Sequence, residues 1–108
     1  MVLNIPYIET SKSKDGSPFY TIRPILKRNW DTSKISNKTI KQRDKNKYYK
    51  ILNYSVFENL DTLFDFYDYK LFNVGKTKED VIKYYRKLYG KQLISKKRFF
   101  VVFRLRIL

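Results

Sequence analysis

The sequence has no cysteine and no histidine. Without thiols there is neither a disulfide framework nor a thiolate metal site. Without imidazole the commonest metal ligand and the commonest general base are both missing. Serine–histidine and cysteine–histidine nucleophile chemistry is therefore excluded, and no metal or other cofactor is expected. Glycine is scarce too: Gly16, Gly75 and Gly90 are the only three, each at a turn or cap position, so no glycine-rich phosphate loop can form. No apolar run is long enough to span a bilayer, and the first six residues have neither a basic n-region nor a long apolar stretch. These absences predict a protein with no membrane partner, cytoplasmic in location, or in a host's cytoplasm if it is of viral origin.

What the chain does have is positive charge and aromatic rings. Its 108 residues make room for one domain and one core, and 43% hydrophobic with 18% aromatic content is enough to fold one. Lysine and arginine total 24 against 10 acids, a net charge of +14, which attracts polyanions and speaks to partners rather than to fold. The charge is unevenly spread. Residues 22–50 carry ten basic side chains and two acids, and residues 86–108 carry eight and none. Between them, residues 51–75 carry one lysine and four acids. A compositionally biased genome would scatter lysine more evenly, so the blocks predict a polarised surface, with both blocks converging on one phosphate-sized groove.

Along the chain, Ile5 to Thr10 and Phe19 to Ile22 read as strands joined through Lys14-Asp15-Gly16-Ser17, an N-terminal β-hairpin over residues 1–24. Pro18 and Pro24 confine it to an edge or a short pairing. Residues 27–47 are the least regular, with Asp31 or Thr32 as the cap of a short helix ending near Asn37, and Thr39-Ile40 as a brief strand. Tyr48 to Tyr54 reads as a strand. Ser55 and Glu58 form a capping box, with Val56, Leu60, Leu63, Phe64 and Tyr67 at helical spacing and Asp61, Asp65 and Asp68 outward. Thr77 and Asp80 open a second helix whose inner stripe is Val81, Tyr84, Tyr85 and Leu88, and Gly90 stops it. Last comes a strand from Arg98 to Leu108, with Phe99, Val101, Phe103, Leu105 and Ile107 on one face. The order is β-β-(α)-β-α-α-β, an α+β or small-barrel architecture.

The first basic block interleaves Lys27, Arg28, Lys34, Lys38, Lys41, Arg43, Lys45, Lys47 and Lys50 with Trp30, Tyr48 and Tyr49. Cations that release counterions from phosphates, beside ring faces for base stacking, are what single-stranded nucleic acid binding requires. Trp30 is weighed toward packing, since tryptophan is mostly buried. In the second block Arg104 and Arg106 share one strand face and could grip a phosphate backbone bidentately; a charge-guarded sheet edge is the equal alternative. The three aspartates at helical spacing have no histidine or cysteine beside them and read as a solvated face.

Two stretches resemble the ASCH domain, a small PUA-like β-barrel family linked to RNA. One is Ile25-Leu26-Lys27-Arg28-Asn29-Trp30 followed by Ile35-Ser36-Asn37-Lys38-Thr39-Ile40-Lys41-Gln42-Arg43. It is similar to the family's lysine-and-tryptophan start, short helix, turn and Lys-Thr-Ile-Glu-x-Arg. The other leads from Tyr48 through Phe57-Glu58-Asn59-Leu60 and two helices ending Leu88-Tyr89-Gly90 to the strand Phe99 to Leu105. Asn37 stands where a turn glycine is usual, and the strand that normally follows the arginine is missing. The resemblance implies a truncated barrel, or one completed by the N-terminal hairpin, over residues 25–108, with residues 1–24 in the same domain. It also implies a ligand cleft on the side of Lys38, Thr39 and Arg43. Some bacterial members are amidohydrolases on acetylated cytidine, using a lysine, a threonine and a glutamate. Lys38 matches the lysine, Lys41 replaces the threonine, and no glutamate lies near Val74.

The reading is a non-enzymatic RNA-binding module contacting its ligand through Lys27, Arg28, Trp30, Lys38, Thr39, Lys41, Arg43, Tyr48, Arg104 and Arg106. One alternative is a small viral or mobile-element protein that occupies a host protein or nucleoprotein enzyme. The other is an amidohydrolase on an acylated nucleoside, with Lys38 as its catalytic amine.

Overall fold

The computed structural model describes residues 2–30, 39–94 and 96–108. Five strands form one sheet: β1 (Val2–Leu3), β2 (Phe19–Leu26), β3 (Thr39–Gln42), β4 (Tyr48–Phe57) and β5 (Arg98–Ile107), in the order β1-β3-β4-β5-β2. β1 runs parallel to β3, and the four remaining strands pair antiparallel and curl into a half-barrel. Among the described residues three α-helices accompany them: α1 (Tyr7–Thr10), α2 (Leu60–Phe66) and α3 (Lys78–Tyr89). α2 and α3 precede the last strand, as the sequence predicts, and the class is α+β.

β5 organises the molecule because both its faces are apolar at one end. Val101, Phe103 and Leu105 point into the curl and pack with Phe19, Ile40, Tyr49 and Ile5, all 4% exposed or less. Phe100 and Val102 point the other way, against Ile22 and the helical residues Leu63, Val81 and Tyr85. Period-two alternation thus gives two cores, one filling the half-barrel and one under the helices. β2 lies at the sheet's edge, where Pro24, with no N–H to donate, is tolerated. In α3, the Thr77 hydroxyl accepts from Asp80 N at 3.2 Å and Gly90 ends the helix at φ +55°.

Two expectations are corrected. The N-terminal hairpin does not form. Gly16 takes the left-handed conformation at φ +88°, with Asp15 accepting from Ser17 N, but the preceding segment is helix α1, not a strand. The reason is Glu9, which is 1% exposed. One helical turn swings its carboxylate inward, leaving Tyr7 and Ile8 exposed at 64% and 46%. The barrel is extended instead by β1, which lies beside β3 in register Val2–Lys41 and Leu3–Gln42. The second correction concerns α2. Ser55 is not its cap, because β4 continues through Ser55–Val102 and Phe57–Phe100 pairings; Asn59 caps the helix, accepting from Thr62 N at 2.9 Å. The helix expected between Asp31 and Asn37 lies outside the described residues.

Candidate nucleic-acid interface

The helices cover only part of the outer sheet face. Phe57, Phe100 and Val102 lie beneath them, but further along the same face the side chains turn polar. The ladder sets Thr39, Lys50 and Arg106 in one row across β3, β4 and β5, and Lys41 beside Tyr48 in the next. Cross-strand neighbours on one face have Cβ atoms about 5 Å apart. A bulge between Ile51 and Asn53 restores the alternation so that Asn53 pairs with Arg104 on this face. Thr39, Lys41, Lys50 and Arg106 are exposed, and Tyr48 is 40% exposed while its neighbour Tyr49 is buried at 1%. Arg104 is half-buried at the border with the core; its Nε is buried and has no hydrogen-bond partner among the described residues. β3, β4 and β5 carry no acidic residue between them.

The structure thus brings together five of the expected contact residues: Thr39, Lys41, Tyr48, Arg104 and Arg106. Lys50, at the centre of the row, belongs to the basic block read from the sequence but not to the contacts named from it; its place follows from β-alternation once Tyr49 is taken as inward. Arg43 is exposed just past β3, its N–H donating to Leu3 O at 2.8 Å. Lys38 lies outside the described residues.

Lys27 and Arg28 belong elsewhere. The β2–β5 ladder ends at Leu26–Arg98, and Lys27 N donates to Lys97 O at 2.9 Å. Lys27, Arg28, Lys96 and Lys97 therefore line one cleft of about 470 Å³. The basic blocks do meet, but twice, at opposite ends of a strand that spans roughly 30 Å at ~3.3 Å per residue. The single shared groove is not what forms. Lys27 is also committed to Glu58 at 2.7 Å and sits over the Phe99 ring. Trp30 is half-buried, edge-on to Tyr54 at 5.6 Å and to Phe99 at 6.4 Å, so its ring serves the inner core rather than a base. On α2, Asp61 and Asp65 are exposed to solvent, and Asp68 beyond it accepts from Lys70 N.

A second concentration of polar groups lies inside, around the β2 edge. One Glu9 oxygen accepts from Thr21 Oγ1 at 2.6 Å and from the Tyr85 hydroxyl at 2.9 Å, and the other accepts from the Tyr84 hydroxyl at 3.1 Å. Arg23, 6% exposed, stands 3.6 Å from Glu9 through Nη2 and donates from Nη1 to the Tyr89 hydroxyl at 2.5 Å. That hydroxyl in turn donates to Ile22 O at 2.7 Å. Burial pushes the phenols of Tyr84, Tyr85 and Tyr89 above their usual value of 10; the Glu9 carboxylate adds to the rise and Arg23 opposes it. At neutral pH all three are O–H donors. Sequence reasoning missed this cluster. Its one signal is a lone charge, Arg23, in the otherwise uncharged run Thr21-Ile22-Arg23-Pro24-Ile25.

No group of three or more carboxylates able to hold a metal occurs among the described residues, and no helix among them is long and apolar enough to cross a membrane. Neither a family model nor a curated protein sequence matches the chain. The crystal structure of hypothetical protein PH0355 is similar over all of this chain and 96% of its own, with a TM-score of 0.65 at 16% identity. At that identity the likeness establishes the fold alone.

Proposed function

We propose that this chain is a non-enzymatic RNA-binding module of the ASCH or PUA-like kind, which takes single-stranded RNA on the uncovered outer face of β3, β4 and β5. The observation that carries the reading is the makeup of that face: Lys41, Lys50, Arg104 and Arg106 around an exposed Tyr48, with no carboxylate on the three strands. Lysine and arginine there neutralise successive phosphates and release counterions. Tyr48 offers a ring face for one base, and a sheet surface lets an unpaired strand lie flat with bases toward the protein. Thr39 adds a hydroxyl that can bond a phosphate or a ribose 2′-OH. The cleft of Arg28, Lys96 and Lys97 at the far end of β5 supplies a second contact for a longer strand.

Titrating a 10-nucleotide single-stranded RNA into isotope-labelled protein tests the site directly. Amide resonances of residues 39–41, 48–50 and 104–106 are expected to shift together. Shifts confined to α3, or none at 50 mM salt, would overturn the reading.

A second reading, a protein partner, has one observation in its favour. Phe66 on the acidic helix α2 is 72% exposed, beside Phe57 and flanked by Asp65. An aromatic so exposed next to carboxylates suits a basic protein surface, and a partner retained after nuclease treatment and lost in Phe66→Ser would favour that reading.

A further inference from the structure

Two arginines stand on the uncovered outer face, and only one of them is free in solvent. Arg106 is exposed, whereas Arg104 is half-buried. Arg104 lies on β5 directly between Tyr20 of β2 and Asn53 of β4, in the row at which the helical layer stops. The next row along β5, formed by Ile22, Val102 and Ser55, is already covered. There the Tyr67 hydroxyl lies 2.8 Å from Ser55 Oγ, and the Tyr67 ring meets that of Tyr20 at 5.8 Å. Tyr67 is also where α2 ends, its N–H donating to Leu63 O at 2.8 Å. The face therefore has a step, with Tyr67 as an aromatic riser and Arg104 and Asn53 on a polar floor.

A half-buried guanidinium is ordinarily paired, because a charge drawn partly out of water has to be compensated. Arg104 makes no hydrogen bond, ion pair or ring contact among the described residues. Its Nε is covered; its two Nη atoms reach the surface and are equally unbonded. With Nε packed away, only the tip of the fork is open, so Arg104 presents two parallel N–H donors from a restrained position. The exposed Asn53 beside it holds an amide that is likewise unbonded among the described residues.

What meets this tip differs from what meets the other cations. A strand laid on a sheet turns its bases toward the protein and its phosphates outward, within reach of the long exposed side chains of Lys41, Lys50 and Arg106. A restrained fork on the floor, against a ring, meets the edge of a base. Guanine offers that fork O6 and N7, adjacent acceptors that arginine bonds bidentately, whereas adenine sets its N6 donor beside N7. The Asn53 amide oxygen suits the guanine N1–H next to O6, and a purine covers more of the Tyr67 ring than a pyrimidine does.

We propose that Arg104 selects a guanine in the bound RNA, with Asn53 beside it and Tyr67 backing the base. This rests on the sheet-face reading and adds which nucleotide that face prefers. The charge of Arg104 counts toward salt dependence as before; its fork supplies discrimination among bases.

The test compares a labelled 15-nucleotide oligouridine with the same strand carrying one central guanine, by fluorescence anisotropy on the whole chain. The guanine is expected to tighten binding about tenfold, the worth of one bidentate base contact. Arg104→Lys keeps the charge and loses the fork, so it should erase that preference while leaving oligouridine affinity within about twofold. In the unaltered protein, 7-deazaguanine in place of guanine removes the N7 acceptor and should erase the preference too, a readout that stands however the variant folds. Equal binding of the two strands, a preference that survives 7-deazaguanine or Arg104→Lys, or a larger gain from adenine or cytosine at the same position would each overturn the proposal while leaving the face a phosphate-binding surface. Failure of the unaltered protein to bind either strand at 50 mM salt would instead overturn the sheet-face reading, and this one with it.

Discussion

Replacing Lys41, Lys50 and Arg106 together by glutamine removes three of the four cations on the bare sheet face while leaving both cores intact. All three side chains are exposed, and glutamine fits an exposed strand position. For single-stranded nucleic acid the slope of log K against log salt is about −0.7 per neutralised phosphate. Four contacts from Lys41, Lys50, Arg104 and Arg106 give a slope near −2.8, and one gives about −0.7. With the two proteins equal at 1 M salt, a slope difference of ~2.1 becomes a loss on the order of a hundredfold at 0.1 M. Fluorescence anisotropy with a labelled 15-nucleotide RNA from 50 to 300 mM salt measures both numbers. The charge-matched control is Lys78→Gln, Lys83→Gln and Lys87→Gln on the exposed side of α3. If that control flattens the slope as much as the sheet-face variant, binding is governed by net charge alone and the face has no special role. The same refutation follows if the sheet-face variant keeps the original slope.

Tyr48→Ala should lower RNA affinity by about 1–3 kcal/mol, the worth of one stacked base, with no change in salt slope; a changed slope with unchanged affinity would refute a stacking role. Glu9→Gln leaves the buried Arg23 charge without its counterpart and turns one acceptor oxygen into a donor group facing the Tyr84 hydroxyl. Breaking a buried pair from one side costs about 3–5 kcal/mol, a large share of a typical 5–15 kcal/mol stability, so the urea midpoint should fall by about 1 M or more. An unchanged midpoint would show that the cluster contributes nothing. Alkaline titration reads the same cluster another way. Tyr84, Tyr85 and Tyr89 are raised above 10 in the folded state, so the unfolded chain loses these protons first as pH rises. Their contribution is fully present below pH 10 and declines above it, by up to about 1.4 kcal/mol per pH unit for each buried phenol and less for the half-buried Tyr84. Cooperative unfolding beginning above pH 10, with the phenolate absorbance of these residues appearing only in the unfolding step, is the expected result; free ionisation in the folded protein would contradict it.

Legibility from sequence followed the physics of each segment. β5 was readable end to end because its alternation is strict, and α3 because Thr77 and Gly90 punctuate an amphipathic run. The residues from Ile5 to Thr10 were misread because hydrophobic patterning assumes that a glutamate faces water, and Glu9 does not. Its partners Thr21, Arg23, Tyr84 and Tyr85 lie up to 76 positions away, and nothing local announces them. Ser55 and Glu58 satisfied the spacing of a capping box, yet cross-strand pairing to Val102 and Phe100 outweighed it, since a ladder in a buried sheet is worth more than one cap. For the interface, the residue types were visible and their grouping was not. Lys27 and Lys41 sit in one basic block of sequence, but the fold sends one to each end of β5.

The bareness of the outer face follows from element lengths. α3 has 12 residues and, at ~1.5 Å each, is about 18 Å long, whereas the ten-residue β5 runs about 33 Å. Even laid along the strand, α3 would leave nearly half of it uncovered, and α2 with seven residues adds only another turn or two. A sheet face left bare has to be polar, because an apolar one would pair or aggregate. Polarity alone does not call for one sign of charge. Mixed lysine and glutamate would protect the face equally well and would add favourable cross-strand pairs, whereas Lys50 directly opposite Arg106 is a like-charge pair that costs stability. With Lys41 and Arg104 beside them, none of these four cations has a salt bridge among the described residues to relieve the repulsion. A polyanion laid across the row would relieve it, which is the physical argument for the proposed binding over a face that is merely polar.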